Sequence, residues 1–132
     1  MNRFVKDVAS VLEVEDIGLN DDFREVPGWC SLQGFGLLVL MENDWKAPIG
    51  IETFLNMRTV KDLYREAFLS FAARQLGVER SQIGPETAYG TLEKWDSVGH
   101  LKLVMEAESY FGTSYAMERI PEMKKLEDFL EG

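Results

Sequence analysis

Apolar side chains at helical spacing mark the beginning of the chain. Phe4, Val8, Val11 and Leu12 recur every three or four positions, which is the period of one face of an α-helix. The pattern predicts a helix over residues 2–13. A connection rich in Asp, Gly, Pro and Glu follows, from Val14 to Cys30. Because loops of this length are uncommon in compact domains and are usually ordered by anchors or functional, we expect anchoring residues within it. The candidates are Ile17, Leu19 and Phe23, with Ile83 and Tyr89 in the corresponding later loop.

The same pattern occurs a second time around a second tryptophan. The segment Trp29-Cys30-Ser31-Leu32 is matched 66 positions later by Trp95-Asp96-Ser97-Val98, and the offset continues as far as Leu63 and Phe129. Upstream, Leu12 and Leu76 match at an offset of 64, so the second copy has two extra loop residues. An offset held over so many positions indicates an internal repeat. We therefore predict two units, residues 1–66 and 67–132.

Each copy shows the same order of helical segments. A second helix is expected to start at each serine and to run to Trp45 or Phe111, followed by a short turn near 52–56 or 117–122. A closing helix then begins near Thr59 or Lys124. No segment shows the sustained alternation typical of strands. The prediction is an all-α protein of two tandem four-helix bundles, each with three main helices and one short helix.

The junction between the two copies contains no helix breaker. From Thr59 to Leu76 there is neither Pro nor Gly, and Gly77 is a suitable stop. The closing helix of the first copy is therefore predicted to continue into the opening helix of the second. This favours a rigid or kinked tandem over two independently tumbling domains.

Composition excludes several classes of function. With 14 basic and 23 acidic residues the net charge is −9, which disfavours nucleic-acid binding because a phosphate backbone requires clustered Lys and Arg. The chain has one cysteine, Cys30, and one histidine, His100, so neither an internal disulfide nor a Cys/His zinc site is expected. No apolar run approaches the roughly 18 residues of a membrane span. Without a signal peptide in the sequence, the expected location is the cytoplasm.

The candidate chemistry lies around the second serine. In Lys94-Trp95-Asp96-Ser97-Val98-Gly99-His100-Leu101, either Asp96 or Ser97 is expected at a helix N-cap. Capping alone explains such an Asp-Ser pair. A serine hydroxyl at this position is also exposed, and a helix N-terminus favours a phosphate attached to it. The residues thus permit attachment of a phosphodiester-linked group.

The second copy resembles the acyl or peptidyl carrier protein family. The resemblance rests on Trp95-Asp96-Ser97-Val98-Gly99-His100-Leu101, on the apolar and acidic run Leu103 to Glu108, on Phe111-Gly112 and Ile120-Pro121, and on the apolar closing helix. It implies that Ser97 carries a covalent 4′-phosphopantetheine arm, added from coenzyme A by a phosphopantetheinyl transferase. The thiol of the arm then holds acyl or aminoacyl groups as thioesters. The resemblance also implies that Asp96, Val98, Lys102 and Glu106 contact partner enzymes, although Lys102 replaces an acidic residue common there.

The first copy is similar to the family more distantly. Ser31 occupies the matching position, but Cys30 replaces the aspartate, and no charged residue occurs between Ser31 and Glu42. Two interpretations stay open: Ser31 carries a second arm, or the unit is a degenerate docking or dimerising copy. Leu37, Leu40 and Met41 are expected to pack on the second unit or on a partner. Gly34 and Gly36 disfavour helix, which suggests that another group approaches closely there.

Other residues of the two motifs have structural interpretations. We expect His100 to be a partly exposed helix residue without a catalytic role, although one helical turn from Ser97 it could touch the arm's phosphate. Trp29 and Trp95 are expected to pin the long loops to the core. Cys30 is predicted to be buried or adjacent to a helix cap and unreactive.

The sequence thus predicts a non-catalytic acyl carrier that serves separate biosynthetic enzymes. Those partners are the transferase and the acyl- or aminoacyl-loading, condensing or transferring enzymes, and a homodimer through the first unit is possible. The alternative is a carrier-like interaction module that is never modified.

Overall fold

The computed structural model describes residues 2–130, and over that range the protein is helical with no β-strand beyond isolated bridges. The predicted all-α class is confirmed for these residues. Within the same range, no helix combines the length and the apolarity that crossing a membrane requires. The chain divides into two compact units, Met1–Ala67 and Phe68–Gly132.

The first unit follows the predicted order of elements. Its helices are α1 (Arg3–Leu12), a 3₁₀ turn (Phe23–Glu25), α2 (Ser31–Val39), a π-helical segment (Leu40–Asp44), α3 (Ile51–Leu55) and the first part of α4 (Val60–Leu76). The predicted second helix thus reaches Trp45, but its last turn changes type: the Trp45 N–H donates to the Leu40 carbonyl at 3.2 Å, an i to i+5 bond.

The second unit begins within α4. It continues with a 3₁₀ turn (Arg80–Gln82), α5 (Ser97–Phe111) and two further 3₁₀ helices (Met117–Glu122 and Leu126–Leu130). Helix α4 is uninterrupted and ends before Gly77, which has a positive φ of 69°. The predicted continuous helix is therefore confirmed, while the rigidity of the tandem stays a prediction.

Each unit has its own aromatic core. In the first, Phe4 packs edge-on against Trp45 with ring centroids 5.2 Å apart. In the second, Phe68 stacks on Phe129 at 5.1 Å and contacts Phe111 at 6.0 Å. Burial of aromatic rings of this size is the main stabilising contribution available to units of about 65 residues.

Three of the five predicted loop anchors are buried. Ile17, Phe23 and Ile83 are buried, whereas Leu19 is half-buried. Tyr89 is 39% exposed, but its ring packs edge-on against Trp95 and His100. It thus contacts the core from a partly exposed position.

Backbone hydrogen bonds between loop and closing helix recur at the predicted offset. In the first unit the N–H groups of Val60 and Lys61 donate to the carbonyls of Asp21 and Leu19. In the second, the residues 66 positions later make the same bonds, Leu126 to Thr87 and Glu127 to Pro85. Each long loop is thus fastened to the helix that closes its own unit.

The two extra residues of the second copy are in one place. The Val14 N–H donates to Ala9 and the Val78 N–H to Ala73, both at 3.0 Å and at an offset of 64. From Ile17 and Ile83 onward the offset is 66. The insertion therefore falls in the segment that forms the 3₁₀ turn Arg80–Gln82.

Candidate functional site

Ser97 is the first residue of α5, and its side chain is exposed. Asp96 precedes it as the N-cap, with Oδ1 accepting a hydrogen bond from the Gly99 N–H at 2.8 Å. Since the aspartate does the capping, the Ser97 hydroxyl is not required for it. The structure thus assigns the cap to Asp96, one of the two predicted candidates.

The Ser97 hydroxyl has a neighbour, Tyr89, that lies outside the serine motif. The hydroxyl oxygen of Tyr89 lies 3.1 Å from Ser97 Oγ, within hydrogen-bond distance, and either atom can donate. The two residues are eight positions apart along the chain, and the loop between them brings them together. The offset of 66 pairs Tyr89 with Phe23. Each of these rings contacts the tryptophan of its own unit, Tyr89 with Trp95 and Phe23 with Trp29.

A glycine allows the loop to approach the beginning of α5. A Cβ atom at Gly99 would overlap the carbonyl oxygen of Lys94. Any other residue at this position therefore requires the loop to move away from the first turn of the helix. The glycine in the motif has a steric reason, independent of any ligand.

His100 is buried, at 8% exposure, so the predicted partial exposure is wrong. The indole Nε1–H of Trp95 donates to His100 Nδ1 at 3.0 Å. Because Nδ1 accepts, the proton of the neutral ring is on Nε2, which lies 2.8 Å from the Ile120 carbonyl oxygen. Both nitrogens are therefore occupied within the core.

This arrangement also explains the loop tryptophan. Trp95 is fully buried, and its ring stacks on His100 with a centroid distance of 6.1 Å. The indole anchors the long loop to α5, and the histidine connects it to the 3₁₀ helix Met117–Glu122. The hydrogen bonds leave no imidazole nitrogen directed at Ser97, which argues against a serine–histidine pair of the hydrolase type.

An apolar cleft of about 370 Å³ opens beside Ser97. Besides the serine, it is lined by Tyr89, His100, Leu101, Ile120, Pro121, Met123 and Lys124. A group attached to Ser97 Oγ has this cleft as the nearest surface on which to lie. Apolar walls with few polar groups are typical of small-molecule sites.

The outer face of α5 is exposed and largely apolar. Val98 is 76% exposed, and Leu101 and Met105 are also exposed. The predicted partner contacts Asp96, Val98, Lys102 and Glu106 all have exposed side chains. Exposed apolar residues next to charged ones are the composition expected of a surface that binds a protein transiently.

Ser31 occupies the equivalent position of the first unit. It is the first residue of α2 and is exposed, but the preceding Cys30 makes no side-chain cap bond. Instead, Gln33 Oε1 accepts a hydrogen bond from the Cys30 N–H at 2.9 Å. Cys30 is thus the N-cap residue itself, and the alternative that it is buried is wrong.

A second apolar cleft, of about 380 Å³, lies beside Ser31. Its lining consists of Arg24, Trp29, Ser31, Gly34, Phe35, Leu38, Ile51, Phe54 and Leu55. A Cβ atom at Gly34 would lie 3.6 Å from the rings of Trp29 and Phe54, and one at Gly36 would lie 2.9 Å from Val11 Cγ1. The predicted close approach is thus confirmed at Gly36, whereas 3.6 Å at Gly34 is an ordinary contact distance.

The first unit has an exposed apolar surface on α2 and α3. Leu37, Leu40 and Met41 are buried, and their packing on the second unit or on a partner stays a prediction. The most exposed apolar residues of α2 and α3 are Leu32, Phe35, Ile51 and Leu55. We call these four the unit-one apolar patch. Without charged residues to fix the polar face of α2, the sequence pattern does not identify its outer side.

Residues 2–130 contain no group of three or more His, Cys, Asp or Glu side chains suited to a metal ion. Comparisons with protein-family models, with curated proteins and with solved structures found no match.

Proposed function

We propose that the protein is a non-catalytic acyl carrier, modified at Ser97 with 4′-phosphopantetheine. The observation that supports it most is the exposed Ser97 hydroxyl at the first position of α5, beside an apolar cleft. The motif around Ser97, which resembles that of the carrier protein family, supports the same function.

The modification is a group transfer that this serine can undergo. Ser97 Oγ forms a bond to the β-phosphorus of coenzyme A, the pyrophosphate P–O bond breaks, and adenosine 3′,5′-bisphosphate leaves. The hydroxyl proton passes to a base of the transferase, because both nitrogens of His100 are engaged within the core. The arm supplies the thiol, and the protein supplies position and presentation.

The partners follow from this role. They are a phosphopantetheinyl transferase and enzymes that load, condense or transfer acyl or aminoacyl groups. Within α5, Val98, Leu101 and Met105 present an apolar surface next to Lys102 and Glu106, which suits brief docking.

The test is the intact mass of the full chain after incubation with coenzyme A and a broad-specificity phosphopantetheinyl transferase. We expect one added arm, which is lost in Ser97→Ala and kept in Ser31→Ala. Two added arms would instead support a tandem carrier with Ser31 as the second site. A wild-type protein that is folded and gains no mass would contradict the proposal.

The unit-one apolar patch favours a second candidate, an interaction module that is never modified. Leu32 is 74% and Phe35 64% exposed on a helix without charge, and such surfaces are typical of protein contacts. In a carrier with a single arm on Ser97, this unit would serve as a docking or dimerising copy. Unchanged mass, together with loss of a partner or of a dimer on Phe35→Asp, would support this candidate.

A further inference from the structure

The hydroxyl of Tyr89 lies 3.1 Å from the atom that the proposed modification would esterify. After esterification, Ser97 Oγ has no proton and is a poor acceptor. The phosphodiester places an anionic oxygen one bond further out. A phenolic O–H donating to a charged oxygen makes a stronger hydrogen bond than one donating to a neutral hydroxyl.

The Tyr89 ring is held in place from several sides. It packs edge-on against Trp95 and His100, with centroid distances of 6.0 and 5.5 Å. Its backbone N–H donates to the Lys124 carbonyl, within the contact between loop and closing helix. Because ring and backbone are already ordered, little conformational entropy is lost when the hydroxyl acquires a new acceptor.

The position of Tyr89 also favours one path for an arm attached to Ser97. Tyr89 and Ser97 both line the apolar cleft that continues to Leu101, Pro121 and Met123. A phosphate held between the tyrosine and the serine directs the pantetheine chain along this cleft. A phosphate without that bond leaves the chain free to rotate about the Ser97 side chain.

The first unit provides the contrast within the same chain. The residue equivalent to Tyr89 is Phe23, which is fully buried against Trp29 and has no hydroxyl. The fold of a unit is therefore compatible with phenylalanine here, and the hydroxyl that tyrosine adds in the second unit lies beside Ser97.

We propose that Tyr89 is a positioning residue for the phosphate of an arm on Ser97, donating a hydrogen bond to a non-bridging oxygen and directing the arm into the cleft. This inference rests on the proposed modification of Ser97. It adds a residue that the motif does not contain.

The experiment compares the full chain as wild type, Tyr89→Phe and Tyr115→Phe, each loaded to completion with coenzyme A and transferase as verified by intact mass. Tyr115→Phe is the matched control, because its hydroxyl donates to the Phe129 carbonyl at 3.0 Å in the core of the same unit. The readouts are the ³¹P resonance of the phosphodiester and the nuclear Overhauser contacts of the arm's methyl groups. Circular dichroism verifies the fold of each variant.

We expect Tyr89→Phe to shift the ³¹P resonance and to remove contacts between the arm and Leu101 or Met123. Tyr115→Phe should lower the melting temperature and leave the resonance in place. A fully loaded Tyr89→Phe protein with the wild-type resonance and contacts would overturn the inference while leaving the carrier function intact. A wild-type protein that gains no mass would overturn the carrier function, and this inference with it.

Discussion

The two units satisfy the same carbonyl group with different side chains. Phe54 and Ile120 lie 66 positions apart, each in the short helical segment before the closing helix. The Phe54 oxygen accepts from Arg24 Nη2 and the Ile120 oxygen from His100 Nε2, both at 2.8 Å. Arg24 belongs to the loop, in the 3₁₀ turn Phe23–Glu25, and His100 belongs to α5.

The exchange is reciprocal. The position of Arg24 is occupied by Gly90 in the second unit, and that of His100 by Gly34 in the first. Each unit therefore has one long polar side chain and one glycine, in opposite places. The lesson is that a carbonyl sheltered from water must find a donor, while the element that supplies the donor is free to change. A lone histidine beside a motif serine is thus explained without catalysis.

The largest expected effect comes from breaking the histidine bridge. His100→Ala leaves the Trp95 indole N–H and the Ile120 carbonyl without their partner and opens a cavity in the core. We expect the free energy of unfolding to fall by about 3–5 kcal/mol, measured by chemical denaturation at neutral pH. The tryptophan fluorescence of the native state should change with it.

The matched variant in the first unit is Arg24→Ala. Arg24 is only half-buried, so its loss exposes the Phe54 carbonyl to water, and we expect a cost of about 1 kcal/mol. Equal losses in the two variants would contradict the assignment of a buried bridge to one unit alone.

Much of the fold follows from the sequence because the apolar spacing and the helix stops are local signals. The beginnings of α2 and α5 at Ser31 and Ser97, and the continuous α4, were predicted from capping residues and from the absence of Pro and Gly. The outer face of α2 does not follow from the sequence. In an uncharged helix every face has similar hydropathy, so only tertiary packing decides that Leu37 is buried and Phe35 is exposed.

At the candidate site, the position of Ser97 at the start of a helix was predictable from the sequence, whereas the residues that surround its side chain were not. Ser97 and its cap are neighbours in sequence, and their geometry is set by the start of one helix. Tyr89 and the cleft depend on how the long loop folds back, and His100 is buried because Trp95 folds over it. Such contacts between distant positions leave no periodic pattern in a single sequence.

A medium effect is expected at the beginning of the closing helix. Asp62 Oδ2 accepts hydrogen bonds from the N–H groups of Arg58 and Thr59, and Asp128 Oδ2 accepts from those of Lys124 and Lys125. Burial raises the pKa of Asp62, but the two backbone bonds and the Arg65 charge outweigh it and hold the pKa below its ordinary value of 3.8.

Asp62→Asn should therefore cost about 1 kcal/mol at pH 7. A carboxylate whose pKa is lower in the folded state stabilises it above the unfolded-state pKa. That contribution disappears as the pH falls through the folded value. The difference in free energy of unfolding between wild type and variant should thus shrink below pH 3.8. Urea denaturation across a pH series measures it. A difference that stays constant down to pH 2 would contradict a stabilisation that depends on the charge of Asp62. Asp128→Asn is the corresponding variant in the other unit.

The smallest expected effect is a stabilisation, by substitution of a glycine in α2. Gly34→Ala replaces a glycine inside α2 with a better helix former, and the new Cβ atom would lie 3.6 Å from Trp29 and Phe54, an ordinary contact distance. We expect the free energy of unfolding to rise by about 0.5–1 kcal/mol, visible as a higher melting temperature.

Gly99→Ala, the same change in α5, is the matched control and should destabilise the protein, because its Cβ atom would overlap the Lys94 carbonyl oxygen. Stabilisation by both substitutions would mean that the backbone at Lys94 moves away from α5 at little energetic cost. The Lys94 carbonyl would then not hold the beginning of α5 at the Ser97 site in place. Opposite signs would show that this carbonyl, and not the helix propensity of glycine, decides the residue at position 99.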